Sequence, residues 1–391
     1  MKSPTVFNCP LFTAGFGTFF LLAGFSALTL LIIWQGMTQG TVSDSAYFLG
    51  TYWHAHEMLL GYTVAVITGF LLTAVSNWTG KIILQGEALA GLSLLWLYGR
   101  ILPFYAGSLP NELIALVDFC FLPTVAFVIA KTLISTKNYK NLIFVGALMF
   151  LTLGNGLIHA QMLEFCSYTA ATGIQIVLAT IVLMILVIAG RVFPFFTERG
   201  LKGVLIPRNP LLDILAIGSA TILFTLQLLS ISGTFLALAA LTTAILNGWR
   251  LVSWFVFRIL FVPLLWVLYL GYGWLIFGFI FMALSAWNLI LPSLALHAFT
   301  VGGIGVLTLG MMARVSLGHT GQSMKASNVI ASAFVLINIA AFFRVVLPMS
   351  VSSWSSVSIY LATLAWLAAF ALFMFFYVLI FTKVRSDDET G

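Results

Sequence analysis

Long apolar stretches, separated by short polar connections, make up almost the whole chain. Twelve of them are long enough to cross about 30 Å of hydrocarbon as helices. They cover residues 14–35, 56–76, 87–105, 112–135, 142–162, 171–195, 211–230, 234–255, 259–284, 294–317, 329–347 and 357–382. The pattern therefore predicts an all-α, polytopic membrane protein of about twelve transmembrane helices in one bundle.

Composition supports this interpretation, since 61% of the residues are hydrophobic and only 7% are charged. A soluble domain has about a quarter of its residues charged. Every connection is shorter than the roughly 50 residues that a separate domain needs. We therefore expect a single transmembrane helical-bundle domain over residues 1–391, with all function inside the bundle.

Basic residues indicate the orientation, because Lys and Arg in short loops stay on the cytoplasmic side. In a twelve-span topology one side holds Lys2, Lys81, Lys131, Lys137, Lys140, Arg199, Lys202, Arg208, Arg250, Arg258, Lys325, Lys383 and Arg385. The opposite connections hold few charges, chiefly Asp44, Glu112 and Glu164. Both termini are thus expected in the cytoplasm. The same bias accounts for the net charge of +6, so no nucleic-acid partner is implied.

Four of the five histidines fall at one depth in this topology. His54 and His56 begin the second stretch, His159 lies near the end of the fifth, and His297 begins the tenth, all toward the outer side. His319 lies about 33 Å further along a continuous helix than His297 and belongs to the other side. Imidazole ligates metal ions and haem iron. Four histidines at one depth therefore predict at least one bound metal or haem.

Helical geometry divides the first histidine pair. Residues two apart on a helix point about 200° away from each other, so His54 and His56 are expected to serve two neighbouring centres. The face of His54 continues through Glu57, Met58 and Gly61 and is small and partly polar. Such a face would let a flat macrocycle or another helix approach closely. Glu57 could orient an imidazole by accepting a hydrogen bond.

Other polar residues accompany the histidines at the same depth. Asn155 and His159 belong to one polar stripe of the fifth stretch. Asp118 lies about two turns inside the fourth stretch, where a carboxylate is costly. We expect it to act either as a proton relay or as a partner for an imidazole. Four glycines of the tenth stretch, at positions 302, 303, 305 and 310, suit either helix packing or a cofactor seat.

Three residues mark the cytoplasmic side. Arg191 and Arg314 could clamp carboxylates such as haem propionates, or they could anchor helix ends at the headgroup level. His319 stands in a Gly-flanked turn and could be a metal ligand, a cap or a hydrogen-bond partner. Any haem should be bound non-covalently, because the chain has no Cys-x-x-Cys-His sequence.

Five ordered motifs resemble those of the NnrS family. They are Trp-His-Ala-His-Glu-Met at 53–58, Gly-Phe-Leu-Leu-Thr-Ala at 69–74 leading to Asn-Trp-Thr-Gly at 77–80, Gly-Arg-Val-Phe-Pro-Phe-Phe-Thr at 190–197, Leu-His-Ala-Phe-Thr-Val-Gly at 296–302, and Arg-Val-Ser-Leu-Gly-His-Thr-Gly at 314–321. The resemblance runs nearly end to end. It implies a multi-pass protein of the bacterial inner membrane that binds b-type haem and copper and serves nitric oxide metabolism or protection from nitrosative stress.

The resulting hypothesis assigns His54 and His297 to haem iron and His56 and His159 to a second metal. Nitric oxide or nitrosylated iron would be the ligand, with an unidentified electron donor if the protein is an oxidoreductase. Two other functions remain open. A secondary transporter would bind its substrate near the membrane midplane between related halves with broken helices. A sensor or metal-delivery protein would use the same ligands without turnover.

Overall fold

All twelve predicted stretches form helices in the computed structural model, which describes residues 10–43, 45, 47–350 and 355–382. Each is long and apolar enough to cross a membrane. They are α1 (Gly15–Thr38), α2 (Thr51–Thr79), α3 (Gly86–Tyr105), α4 (Asn111–Ser135), α5 (Tyr139–Met162), α6 (Thr169–Gly200), α7 (Pro210–Leu228), α8 (Gly233–Trp254), α9 (Pro263–Ala286), α10 (Pro292–His319), α11 (Asn328–Met349) and α12 (Ser356–Thr382). The described residues include no β-strand. The prediction of an all-α, multi-pass membrane protein is confirmed.

The predicted orientation stays a prediction. Both termini lie outside the described residues, and so do Lys2, Asp44, Lys383 and Arg385 on which part of the argument depended. Arg250, also used in that argument, is 1% exposed and lies inside α8, outside any connection.

The helices group into two compact units. Unit 1 comprises Met1–Thr180, Val315–Gln322 and Met374–Gly391, and unit 2 comprises Ile181–Arg314 and Ser323–Phe373. Helices α1 to α5 thus belong to unit 1, and α7, α8, α9 and α11 belong to unit 2. The remaining three helices contribute residues to both. The expectation of a single domain stays a prediction beside this grouping.

Packing within unit 1 brings four helices together at one end. Helix α1 packs on α2, α2 on α4, α3 on α4, and α4 on α5. Since neighbouring helices run in alternate directions, the beginning of α2 and α4 and the end of α3 and α5 lie at the same end of the unit. Polar residues at these four positions can therefore meet.

Two helices leave the α-helical path directly after a histidine. Helix α2 is α-helical over Thr51–His56 and π-helical over Glu57–Thr63. Helix α10 is α-helical over Pro292–His297 and π-helical over Ala298–Gly305. A π-helical turn changes the rotation per residue and is frequent at functional sites. It decides which side chains of these helices face the same way.

Candidate metal centre

Five ionisable side chains from four helices converge inside unit 1. His56 and Glu57 come from α2, Arg100 from α3, Asp118 from α4 and His159 from α5. All are buried, and His56 and Glu57 are 0% exposed. Burying charge is costly unless it is paired and hydrogen-bonded, so every contact within this cluster matters for stability.

Three ligand-type atoms face one another at its centre. The Nε2 atom of His56 lies 3.2 Å from Asp118 Oδ2, and the Nε2 atom of His159 lies 2.8 Å from the same oxygen. The three donors lie within 4.8 Å of one another. Among the described residues this is the one group of three or more His, Cys, Asp or Glu side chains arranged in this way.

The outer nitrogen of each imidazole is held by a further residue. Glu57 Oε1 lies 3.0 Å from Nδ1 of His56, and the hydroxyl of Tyr47 lies 2.8 Å from Nδ1 of His159. Such contacts fix the ring orientation, and metal-ligating histidines almost always have them. Both rings consequently present Nε2 to Asp118.

Arg100 joins the two buried carboxylates. Its Nη1 donates to both oxygens of Glu57 at 3.2 Å, and its Nη2 donates to Oδ1 of Asp118. Asp118 therefore has one oxygen on the guanidinium and the other facing the histidines. Nε of Arg100 is buried and has no hydrogen-bond partner among the described residues.

Both ring nitrogens of His56 face oxygen atoms of neighbouring side chains. Asn155 donates from Nδ2 to Asp118 at 2.9 Å, which directs its Oδ1 to Nε2 of His56 at 3.1 Å. Both ring nitrogens of His56 thus face acceptor oxygens, those of Glu57 on one side and of Asn155 and Asp118 on the other. A neutral imidazole has a single N–H. Either an imidazolium or a cation bound at Nε2 satisfies this arrangement.

Aromatic residues of the connection before α2 cover the histidines. Phe48 is fully buried and stacks on the His56 ring, with centroids 4.2 Å apart. Ser45 holds this connection in place, because its hydroxyl donates to the carbonyl of Pro103 at 2.9 Å and accepts from the backbone N–H groups of Tyr47 and Phe48 at 3.3 Å. The cover excludes bulk water from the cluster.

Tyr47 stays protonated at physiological pH. Burial raises the pKa of its hydroxyl well above the usual range, and the negative charge of Glu112 raises it further. In the metal-free protein the hydroxyl can donate to Nδ1 of His159, which leaves the Nε2 hydrogen of that neutral ring for Asp118. With a metal on Nε2, the hydrogen would lie on Nδ1 and would be donated to the hydroxyl oxygen of Tyr47.

Two glycines make room for the cluster. A Cβ at Gly61 would lie 2.9 Å from Nη1 of Arg100, and a Cβ at Gly99 would lie 2.8 Å from Oδ1 of Asp118. Both distances are too short for a carbon atom, so side chains larger than hydrogen at these positions would displace the ion pairs.

His54 contacts a different group from His56, as the two-residue spacing predicts. Its ring stacks on Trp34 with centroids 4.6 Å apart and an angle of 16°. Glu57 was expected on the face of His54, whereas the structure places its carboxylate on His56 and Arg100. The physical reason is the side chain of Arg100, whose Nη1 contacts both oxygens of Glu57 and holds the carboxylate beside the ring of its neighbour His56.

The other two predicted histidine ligands lie outside the three-donor group. His297 belongs to unit 2, and its Nδ1 lies 2.7 Å from the carbonyl of Ser293. A carbonyl only accepts, so Nδ1 of His297 carries a hydrogen. Nε2 of His319 lies 3.5 Å from Nδ2 of Asn77, and its ring packs 5.4 Å from that of Phe16.

The glycine face of α10 serves helix packing. A Cβ at Gly302 would meet Trp274 at 2.7 Å, one at Gly305 would meet Trp366 at 2.6 Å, and one at Gly310 would meet Val267 at 2.8 Å. Side chains of neighbouring helices therefore fill the face that the sequence left open between packing and a cofactor seat.

The two predicted propionate clamps differ in environment. Arg191 is exposed. Arg314 is 6% exposed, its guanidinium lies 4.0 Å from the ring centroid of Phe196, and Nη2 donates to the Phe196 carbonyl at 3.3 Å. Its Nε has no hydrogen-bond partner in the part of the chain that the structure describes. Headgroup anchoring is consistent with the exposure of Arg191, whereas Arg314 is too deeply buried for that role.

A second network of hydrogen-bonded side chains lies in unit 2, around the buried Arg250. Arg250 donates from Nε to Asp213 at 2.6 Å and from Nη1 to the Leu186 carbonyl at 2.8 Å and to the Tyr272 hydroxyl at 3.1 Å. The Tyr272 hydroxyl donates in turn to Asn247 at 2.6 Å. These contacts link α6, α7, α8 and α9, and the described residues around them include no group of three metal donors.

Sequence reasoning missed Arg100 and Tyr47. Arg100 carried a usable signal, because an arginine inside an apolar stretch is costly and usually functional, and because it falls on the side where few basic residues are expected. Tyr47 carried none, since a tyrosine in a connection is unremarkable without knowledge of what it contacts.

A comparison with models of known protein families matches residues 10–385 to the family described as NnrS protein. The match covers all five motifs and every residue of the candidate centre. No curated protein matches the chain.

Proposed function

This chain belongs to the NnrS family, and from that premise we propose that it binds copper at His56, Asp118 and His159 and acts through this metal on nitric oxide or nitrosylated iron. The family is linked to the nitric oxide response. Protection from nitrosative stress at the bacterial inner membrane would be the biological role. One observation carries the proposal, namely that two imidazole nitrogens and one carboxylate oxygen face a common point inside the membrane-spanning helices.

The chemistry of these donors suits a transition metal. Imidazole binds copper, zinc and iron, and a carboxylate completes many such sites. Glu57 and Tyr47 contact the outer nitrogens of the two rings, as residues around metal-bound histidines do. Oxygen atoms of Asn155 and Asp118 lie next to Nε2 of His56, and a cation bound there would interact favourably with both.

The protein would position the metal ion, provide a negatively charged ligand and exclude bulk water. A bound copper ion would provide the coordination position and the redox change that nitric oxide chemistry needs. His56 and His159 would hold it, Asp118 would contribute one oxygen, and Phe48 would keep bulk water away. Nitric oxide is small and uncharged, so it can reach a buried site through the lipid without a polar channel.

Haem, which the family resemblance implies beside copper, fits the described residues less well. Neighbouring side chains fill the glycine face of α10. Arg314 follows His297 on the same helix at a distance of about 25 Å, beyond the reach of a propionate on a haem that His297 ligates. We assign no step to haem. His54 and His297 remain the residues to test for iron.

Transport is less well supported. The cluster lies near the ends of α2, α3, α4 and α5, within about two turns of them, whereas transporters bind substrate near the midplane. A sensor or a metal-delivery protein would use the same ligands, and only turnover distinguishes these functions from an oxidoreductase.

Metal analysis and optical spectroscopy of the detergent-purified protein test the proposal. We expect copper in fixed ratio to protein, and a spectrum that differs between the chemically oxidised and the dithionite-reduced protein and changes again with nitric oxide. His56→Ala and His159→Ala should lose most of the copper, and His319→Ala, the matched control, should keep it. Full copper content in both cluster variants would contradict the proposal. Gas consumption with excess reductant would then separate an enzyme from a sensor.

A further inference from the structure

The geometry points to a charge-selective centre: we propose that Arg100 makes the His56–Asp118–His159 site specific for a monovalent metal ion, so that it holds copper(I) in preference to divalent ions. This inference rests on the proposed metal site and adds which ion it takes and which residue decides.

The charges of the buried cluster carry the first step. With both imidazoles neutral and bound to metal, the cluster contains the negative carboxylates of Glu57 and Asp118 and the positive guanidinium of Arg100. Its net charge is then minus one. A monovalent ion makes the buried site neutral, whereas a divalent ion leaves an uncompensated positive charge, which is costly away from water.

The contacts of His56 are consistent with this net charge. Nε2 of His56 faces only acceptor oxygens, from Asn155 and from Asp118. One positive charge at this point satisfies every acceptor around it. In the described part of the chain, Glu57 and Asp118 are the only carboxylates within hydrogen-bond distance of the two imidazoles. No third carboxylate is there to balance a second positive charge.

Arg100 also limits the number of ligands. Because Oδ1 of Asp118 accepts a hydrogen bond from Nη2 of Arg100, only Oδ2 faces the histidines. The centre therefore offers two nitrogens and one oxygen. Zinc in proteins usually takes four ligands, whereas copper(I) is stable with two or three. Phe48 covers the His56 ring, which restricts the access of a water that could serve as a fourth ligand.

A series of charge variants tests the proposal on the full-length protein, purified in detergent and stripped of metal. Affinities for copper(I) and zinc(II) would be measured by competition with chelators of known affinity for each ion. The wild type should bind copper(I) more tightly. Arg100→Gln lowers the cluster charge by one unit and should shift the ratio of the two affinities at least tenfold toward zinc, since charges this close interact strongly when buried.

The double variant Glu57→Gln/Arg100→Gln separates charge from position. It restores the wild-type net charge without the guanidinium, and the amide introduced by Glu57→Gln would still offer an oxygen to Nδ1 of His56. The copper(I) preference should therefore return. Glu57→Gln alone makes the metal-free cluster neutral and should weaken both ions. Arg100→Lys keeps the positive charge and should keep the preference for copper(I). If Arg100→Gln does not fold, Arg100→Lys and the double variant still test the proposal.

The outcomes distinguish this inference from the proposed function. Charge selection would be overturned if the wild type bound zinc as tightly as copper(I). It would also be overturned if the copper(I) preference were lost in Arg100→Lys and did not return in the double variant. Neither outcome would contradict the metal site itself. Binding of neither ion to a folded wild type would overturn the metal site itself.

Discussion

Arg100 is the residue on which the other charged groups of the cluster depend. It contacts Glu57 and Asp118 simultaneously, and both carboxylates are buried. Without it two negative charges would share one dry site, and breaking a buried ion pair by removing one partner costs about 3–5 kcal/mol. The same residue fixes which oxygen of Asp118 faces the histidines, so stability and metal chemistry depend on one side chain.

Tyr47→Phe should bind the metal at unchanged stoichiometry and about 10- to 100-fold more weakly, because loss of a hydrogen bond to the outer nitrogen of a ligating histidine has that effect. The hydroxyl of Tyr47 is the only contact of this kind at His159 among the described residues. Chelator competition measures the change. Tyr105→Phe, at an exposed position, is the control, and equal affinities for the two variants would refute the role given to Tyr47.

Gly99→Ala should destabilise the protein by about 1–3 kcal/mol, the usual cost of an added methyl group in a packed interior, and should reduce bound metal. The new Cβ would lie 2.8 Å from Oδ1 of Asp118. Gly91→Ala on the same helix is the matched control, since a Cβ there meets no atom within 4 Å. Thermal unfolding in detergent and metal analysis check both variants. A tolerated Gly99→Ala with full metal content would show that Asp118 need not stay where it is.

At the scale of elements, the π-helical segment of α2 over Glu57–Thr63 follows directly on His56. Side chains donate to two of its backbone carbonyls. The hydroxyl of Thr63 donates to the carbonyl of Met58 at 2.8 Å, and the indole of Trp96 on α3 donates to the carbonyl of Gly61 at 3.2 Å. The neighbouring helix thus stabilises the irregular turn.

Trp96→Phe should lower the stability by about 1–3 kcal/mol, because a buried carbonyl loses its donor. An aromatic ring is kept, so the loss reports the hydrogen bond to Gly61 more than the packing. Trp249→Phe, where the ring is exposed, should change stability little. Comparison of the two unfolding midpoints in the same detergent measures the difference. Identical midpoints would mean that the π-helical turn holds without help from α3.

At the scale of the whole molecule, the orientation in the membrane determines from which side a metal ion would reach the centre. In the orientation that the positive-inside bias predicts, the start of α2 and the end of α5 would lie on the outer side. The centre would then receive copper from outside the cytoplasm, whereas basic residues concentrate on the opposite side.

Cys166 in the connection between α5 and α6 should react with a membrane-impermeant thiol reagent added to intact cells. It is exposed, and the predicted orientation places it outside. The experiment uses a chain whose other two cysteines, Cys9 and Cys120, are replaced by serine. Lys202→Cys in a cysteine-free chain should react only after the cells are opened. The reverse pattern of labelling would invert the topology and put the metal centre on the cytoplasmic side.

Features that depend on local composition were predictable from the sequence. The twelve helices were, because the cost of leaving backbone groups unpaired in hydrocarbon applies to each stretch separately. His56, Asp118, Asn155 and His159 were candidates because a polar group at membrane depth is conspicuous wherever it stands. The divergence of His54 from His56 followed from helical periodicity alone.

Pairing was decided by the tertiary structure. Which carboxylate meets which imidazole depends on the packing of α2 against α4 and of α4 against α5, and on Arg100 of α3, which holds the carboxylate of Glu57 beside His56. Arg100 and Tyr47 entered the centre, and the glycines of α10 became packing positions, for the same reason. Hydropathy specifies that a residue is buried in a bundle, but partners come from other helices, and their distance in space is not encoded in the local pattern of any one of them.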